Sequence, residues 1–475
     1  MFINGEWITT DEKLEVTNPA TGKIAYEVHM GGRSEVNQAI EAAVGAFGPW
    51  ADLPALQRAD LLLEVVGLLK AEKERLAKVI TTEMGKPIRD SRSEVNMAID
   101  YFRWFAEEAR RVYGETVPHS ASDKRLMVIR QPVGVVGAIT PWNYPIAMMA
   151  RKLAPALAAG CTAVVKPAPE TPQSAIEMMK LFERVGLPAG VVNLVVAPAE
   201  VVGVAFMESS DVRKITFTGS TEVGKKLYAG AANTVKRVSM ELGGHAPFVV
   251  FEDADLDLAA EDLLKTKFRC SGEMCTATNR VYVHESIVDS FSEKLVEKVK
   301  EVKVGNGMDD DTVVGPLVNR AGLEKVARHV EDAARQGADV LVGGEVLLEG
   351  DFANGNYYSP TVLKNVSKEM QLYNEETFGP VAPIISFSSE EELISEVNHD
   401  QYGLASYVYT EDMSRTIRVM EKLEYGMVGI NDPLPFVVQG PFGGMKESGL
   451  GKEGSRHGID DYLEKKLVSI RFRKG

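Results

Sequence analysis

Apolar residues recur every three or four positions over 34–47, 57–83 and 89–112, the spacing of helices with one buried face. Ser34 is placed to cap the first of these. In the third, Tyr101, Phe102, Trp104 and Phe105 form an aromatic cluster suited to core packing. Residues 1–30 read instead as short strands broken by turn dipeptides, Asn4-Gly5, Asn18-Pro19 and Thr21-Gly22. Two segments far apart, 124–132 and 466–472, alternate apolar and polar residues and carry charged ends. They read as edge strands of a small sheet that joins subunits; a surface hairpin would carry the same pattern.

Between them the pattern becomes regular. Strand-like runs at 133–139, 162–166, 191–195, 214–218 and 237–240 alternate with helical runs at 146–159, 173–185, 201–207 and 221–231. Strand, helix, strand at this spacing predicts a doubly wound parallel sheet with right-handed connections. Ligands of such a sheet bind at the carboxyl ends of its strands. After Gly243 the alternation restarts less regularly, with helices expected at 255–268, 286–301, 319–336 and 389–398, so a second α/β unit follows. Gly343-Gly344 and Gly443-Gly444 mark loops, and no internal repeat is present.

Composition narrows the partners. A chain of 475 residues exceeds one core and splits into domains. Its 45% apolar and 25% charged residues are those of a globular protein, and a net charge of −15 argues against nucleic acid. The start, Met1-Phe2-Ile3-Asn4-Gly5, is no signal peptide, and no apolar run reaches membrane-spanning length. Three cysteines without disulfide or metal-ligand spacing suit a reducing cytoplasm; Cys270 and Cys275 lack histidine neighbours, so no metal is expected.

Five short stretches carry candidate chemistry. Cys275 sits near a helix-to-strand switch where Gly272 permits a tight turn, so the thiol is either a nucleophile or a buried structural cysteine. Glu241, before Gly243-Gly244, is a base or a salt-bridge partner. Asn143, between Pro141 and Pro145, offers its amide to a developing oxyanion or caps the next helix. Phe217-Thr218-Gly219-Ser220 turns a strand into a helix whose N-terminus suits a phosphate or is an ordinary βα turn, and Lys166 ends another strand either within reach of ribose or phosphate or as a solvated surface lysine.

Their conjunction is specific. Pro141-Trp142-Asn143, Lys166-Pro167, Phe217-Thr218-Gly219-Ser220, Glu241-Leu242-Gly243-Gly244, Phe268 with Gly272 and Cys275, Glu375-Glu376-Thr377-Phe378-Gly379-Pro380 and Pro441-Phe442-Gly443-Gly444 occur in the order of the aldehyde dehydrogenase superfamily. The chain resembles that superfamily over nearly its whole length, most of all its succinate-semialdehyde dehydrogenase branch. The resemblance implies an NAD(P)-binding domain at 1–117 and 138–242, a catalytic domain at 243–455, and bridging β-strands for oligomerisation at 118–137 and 456–475. It implies Cys275 as nucleophile, Glu241 as base and Asn143 as oxyanion donor. Ile139, Thr140, Pro141, Trp142, Lys166, Pro169, Gly203, Phe217, Gly219, Ser220, Val223, Leu242, Glu376 and Phe378 would hold the cofactor. Glu241 separates the chain from the acyl-CoA-forming branch, so hydrolysis by water is the expected finish.

Pro169 stands where many NAD-preferring relatives have a glutamate that repels a 2′-phosphate, so NADP and NAD are both admissible, with NADP favoured. Arg151 and Arg269 match arginines that read the substrate carboxylate in the succinate-semialdehyde branch. Phe436 replaces that branch's serine, removing a donor and adding an aromatic wall. The expected substrate is therefore succinate semialdehyde or a related acidic semialdehyde, with a broad-specificity, lactaldehyde-type or aromatic aldehyde dehydrogenase as the alternative. A cofactor-independent cysteine esterase is a further reading. Ala277 leaves Cys270 as the nucleophile's one nearby redox partner. A homodimer or homotetramer is implied.

Overall fold

The computed structural model describes residues 1–473. An eight-stranded sheet runs, edge to edge, Gly449–Leu450, Arg237–Glu241, Val212–Thr218, Val135–Ile139, Thr162–Lys166, Val192–Leu194, Phe2–Ile3 and Glu6–Trp7. Its five central strands pair in parallel. Chain order reverses between Val135–Ile139 and Val212–Thr218, and the segments leaving their carboxyl ends flank a crevice at that switch point. Thr162–Lys166 is buried along its whole length, as a strand covered on both faces by helices must be.

A second sheet of seven strands runs Asp339–Val342, Thr361–Lys364, Val381–Phe387, Thr278–His284, Ala246–Val250, Ala405–Tyr409 and Met427–Ile430. All its pairings are parallel except the first, at Asp339–Val342. The third sheet joins Leu463–Arg471, Lys124–Pro132 and Glu115–Val117 in antiparallel register. The two alternating segments at 124–132 and 466–472 thus find each other, with Leu467 opposite Val128. Among the described residues no helix is long and apolar enough to cross a membrane.

The aromatic cluster expected on the third helix is core. Tyr101, Phe102 and Phe105 are buried in the Ile88–Ala109 helix, and Phe102 meets Phe182 edge-on at 5.9 Å. Three expectations change. Ser34 does not cap; the first helix begins at Arg33, and the Glu35 carboxylate takes the Gly32 N–H at 2.7 Å. The run at 57–83 is two helices, Ala55–Ala71 and Lys73–Met84, hinged at Glu72, which one continuous periodicity conceals. Gly449–Leu450, placed by sequence with the second unit, adds to the first sheet by pairing with Met240 and Glu241.

Candidate active site

The Leu256–Lys267 helix ends at Phe268, and Cys270, Ser271 and Gly272 then take positive φ. A Cβ on Gly272 would lie 2.3 Å from the Gly379 carbonyl oxygen, so only glycine fits this reversal. Backbone strain of this kind persists where the surroundings hold it, and here the Asp90 carboxylate takes the Cys270 N–H at 3.0 Å. The chain then presents Cys275 to a cleft of about 450 Å³.

Cys275 Sγ lies 3.5 Å from Glu241 Oε1, at the end of the Arg237–Glu241 strand. Burial, then the Glu241 charge, pushes the thiol well above its ordinary range. Burial also raises Glu241, opposed by Arg151, whose Nη1 stands 3.3 Å from Glu241 Oε2. Arg151 is 2% exposed, stacks 3.9 Å from the Phe442 ring centre, and reaches Glu453 at 3.7 Å. Lys152 binds Glu453 at 2.8 Å. Two cations and two carboxylates thus neutralise one another out of water, as buried charge requires.

Asn143 does not cap the Pro145–Ala159 helix. Its amide donates to the Glu273 carbonyl at 3.1 Å, two residues before Cys275. The helix's first N–H groups go instead to Glu94 Oε1, from Ile146 at 2.7 Å and Ala147 at 3.1 Å. Lys86, buried and ion-paired with Glu94, donates to the Asn143 carbonyl at 2.7 Å. The periodicity puts Glu94 in a helix's apolar stripe with Ala98, Tyr101 and Phe105, an anomaly that sequence reasoning passed over.

Arg269 Nε pairs with Asp90 Oδ1 at 2.9 Å, so neither expected substrate arginine is without an acid partner. Burial demands that compensation. Phe436 lines the cleft and meets Phe442 at 5.7 Å and Tyr407 at 6.3 Å, both edge-on. Cys270 is buried with its sulfur 3.0 Å from the Tyr144 hydroxyl, and burial pushes its thiol up to about 12.

Of the expected cofactor residues, Pro141, Trp142, Gly219, Ser220, Leu242, Glu376 and Phe378 line the same cleft. Trp142 and Phe378 stand edge to face at 5.4 Å. Glu376 accepts the Gly244 N–H at 3.2 Å, and burial raises it to about 7. Thr218 lines the cleft, its buried Oγ1 without a partner among the described residues, and Ser220 caps the Thr221–Ala231 helix. A hydroxyl facing the cleft, a helix N-terminus beside it and a buried carboxylate suit a dinucleotide's phosphates and ribose. Ile139, Thr140, Lys166, Pro169, Gly203, Phe217 and Val223 do not line the cleft. Gly203 is buried within the Ala199–Glu208 helix, while Val223 is exposed on the first turn of its own. Lys166 is lowered by burial, against the pull of Glu170, an acid the sequence reading did not weigh.

Comparison with known proteins identifies the family. The chain is 48% identical to a glutarate-semialdehyde dehydrogenase of Pseudomonas putida, over 99% of this chain and 97% of the relative. It is 46% identical to an NADP(+) succinate-semialdehyde dehydrogenase of Escherichia coli, over 99% and 97%. The crystal structure of a succinate-semialdehyde dehydrogenase from Burkholderia pseudomallei superposes with a TM-score of 0.97 at 46% identity, covering 99% of this chain and 97% of that one. Residues 7–468 match the aldehyde dehydrogenase family, and the chain belongs to it.

Proposed function

We propose that this enzyme oxidises a small aldehyde bearing a distal carboxylate, of the succinate- or glutarate-semialdehyde class, to the carboxylic acid with NADP or NAD. The approach of Cys275 Sγ to Glu241 Oε1 at 3.5 Å, in a cleft that also holds Asn143 and Arg269, carries this reading. Glu241 takes the thiol proton, and the sulfur attacks the aldehyde carbon to give a thiohemiacetal. The Asn143 amide and the Cys275 N–H face the new oxyanion. Trp142, Glu376 and Phe378 would hold the nicotinamide end of the cofactor, whose contribution when bound is to accept hydride. A Cys275 thioester remains, and Glu241, once it has passed the thiol proton to solvent, deprotonates the water that cleaves it. Arg151 steadies the Glu241 charge between these two uses.

Pro169 puts no carboxylate beside a 2′-phosphate and Lys166 stands at the strand end, which supports NADP over NAD. The edge strand Leu463–Arg471, with Leu467 and Ile470 exposed, supports assembly of the cytoplasmic enzyme into a homodimer or homotetramer. The division into 1–117 with 138–242, 243–455, and 118–137 with 456–475 belongs to the same proposal. Turnover of glutarate semialdehyde, succinate semialdehyde, pentanal and benzaldehyde with each nucleotide tests it. The acidic aldehydes are expected to lead in kcat/KM by about tenfold or more, the worth of a charge-assisted hydrogen bond. Phe436, Phe442 and Tyr407 favour one other reading, an aromatic aldehyde; benzaldehyde ahead of both semialdehydes would establish it instead.

A further inference from the structure

The Ile88–Ala109 helix sends Asp90, Ser93 and Met97 toward the segment that precedes Cys275. Asp90 is fully used: Oδ1 takes Arg269 Nε at 2.9 Å and Oδ2 takes the Cys270 N–H at 3.0 Å. Ser93 Oγ accepts from Arg269 Nη2 at 3.0 Å. Since that oxygen already accepts from a guanidinium, the Ser93 hydrogen remains to be donated. No second Ser93 side-chain hydrogen bond forms among the described residues, and none runs from Arg269 Nη1. Ser93, Met97, Arg269 and Cys275 all line one cleft. Arg151 is differently placed, committed to Glu241 and Glu453 and almost wholly buried.

The unspent donors at this wall are therefore a hydroxyl and one edge of a guanidinium whose charge Asp90 already balances. That combination binds a carboxylate with directed hydrogen bonds and without desolvating a second unpaired cation. It also answers the loss that Phe436 makes, since the phenyl ring offers no donor. We propose that Ser93 is a specificity-determining residue, its hydroxyl held by Arg269 and donating to the distal carboxylate of the substrate. The inference rests on the acidic-aldehyde reading above and adds the residue that reads the acid.

The test compares kcat/KM for glutarate semialdehyde with that for pentanal, a chain of equal length without the carboxylate, in the wild type, Ser93→Ala and Ser93→Thr. Ser93→Ala is expected to lower the ratio about tenfold or more, through KM for the acidic aldehyde rather than kcat. Ser93→Thr keeps a hydroxyl and should hold the ratio within about threefold, a margin below one such bond. A high wild-type ratio that survives in Ser93→Ala overturns the assignment of Ser93 alone. A ratio that falls equally in Ser93→Thr also overturns it, because the hydroxyl is then not what is read. A wild-type ratio near one overturns both this inference and the acidic-substrate proposal.

Discussion

Glu241 touches Cys275 with one carboxylate oxygen and Arg151 with the other. The thiolate is the reactive species, so two effects oppose the nucleophile at rest: burial first, and the Glu241 charge second. Glu241→Gln removes the second and leaves the first. The pH profile of Cys275 alkylation by iodoacetamide should then move to lower pH while staying above that of a free cysteine. Arg151→Met removes a charge that favours the thiolate and should move it the other way. A Glu241→Gln profile that is unmoved, or displaced upward, would show that the carboxylate does not bear on the thiol. In turnover the same variant should release one slowed burst of reduced nucleotide and then nearly stop, because the proposed base for both thiol activation and thioester hydrolysis is gone.

Helix capping at a distance is the lesson of the elements. Glu94 caps the Pro145–Ala159 helix from another helix, and Lys86 ties the same carboxylate to the Asn143 carbonyl. Glu94→Gln leaves Lys86 buried without its counter-charge, and by chemical denaturation should cost about 3–5 kcal/mol. The double change Lys86→Met with Glu94→Gln, which keeps an oxygen for the Ile146 and Ala147 N–H groups, should recover much of that stability without restoring kcat, since Asn143 stays unanchored. Full activity in the double variant would show that the pair serves folding alone. Strand and helix positions were legible because a parallel sheet writes them as alternating periodicities. The 191–195 and 221–231 runs appear as Val192–Leu194 and Thr221–Ala231. Cys275, Glu241 and Asn143 could be singled out from local motifs, and the structure brings them to one place. The charges around them could not. Arg151 is satisfied by Glu241 and Glu453, and Arg269 by Asp90, partners set by tertiary packing that no local spacing encodes.

For the whole molecule, the exposed strand Leu463–Arg471 is the surface most in need of cover. It is an edge, its neighbour on one side being Lys124–Pro132, and Leu467 and Ile470 lie open on it. Leu467→Asp with Ile470→Asp should shift the mass seen by light scattering toward a single chain, with the nucleotide cleft unaltered. An unchanged mass would overturn the proposed assembly through this edge.

The two-residue strand Gly449–Leu450 has an effect out of proportion to its length. It pairs with the strand that ends in Glu241, Ser448 takes the Leu242 N–H at 3.0 Å, and Glu453 follows at once to neutralise Arg151 and Lys152. The wall that seats the base is thus completed by amino acids translated about two hundred positions after it. A growing chain that already holds every strand of the parallel core therefore still lacks Glu453, and the buried charges beside Glu241 are balanced only after that later segment has been made.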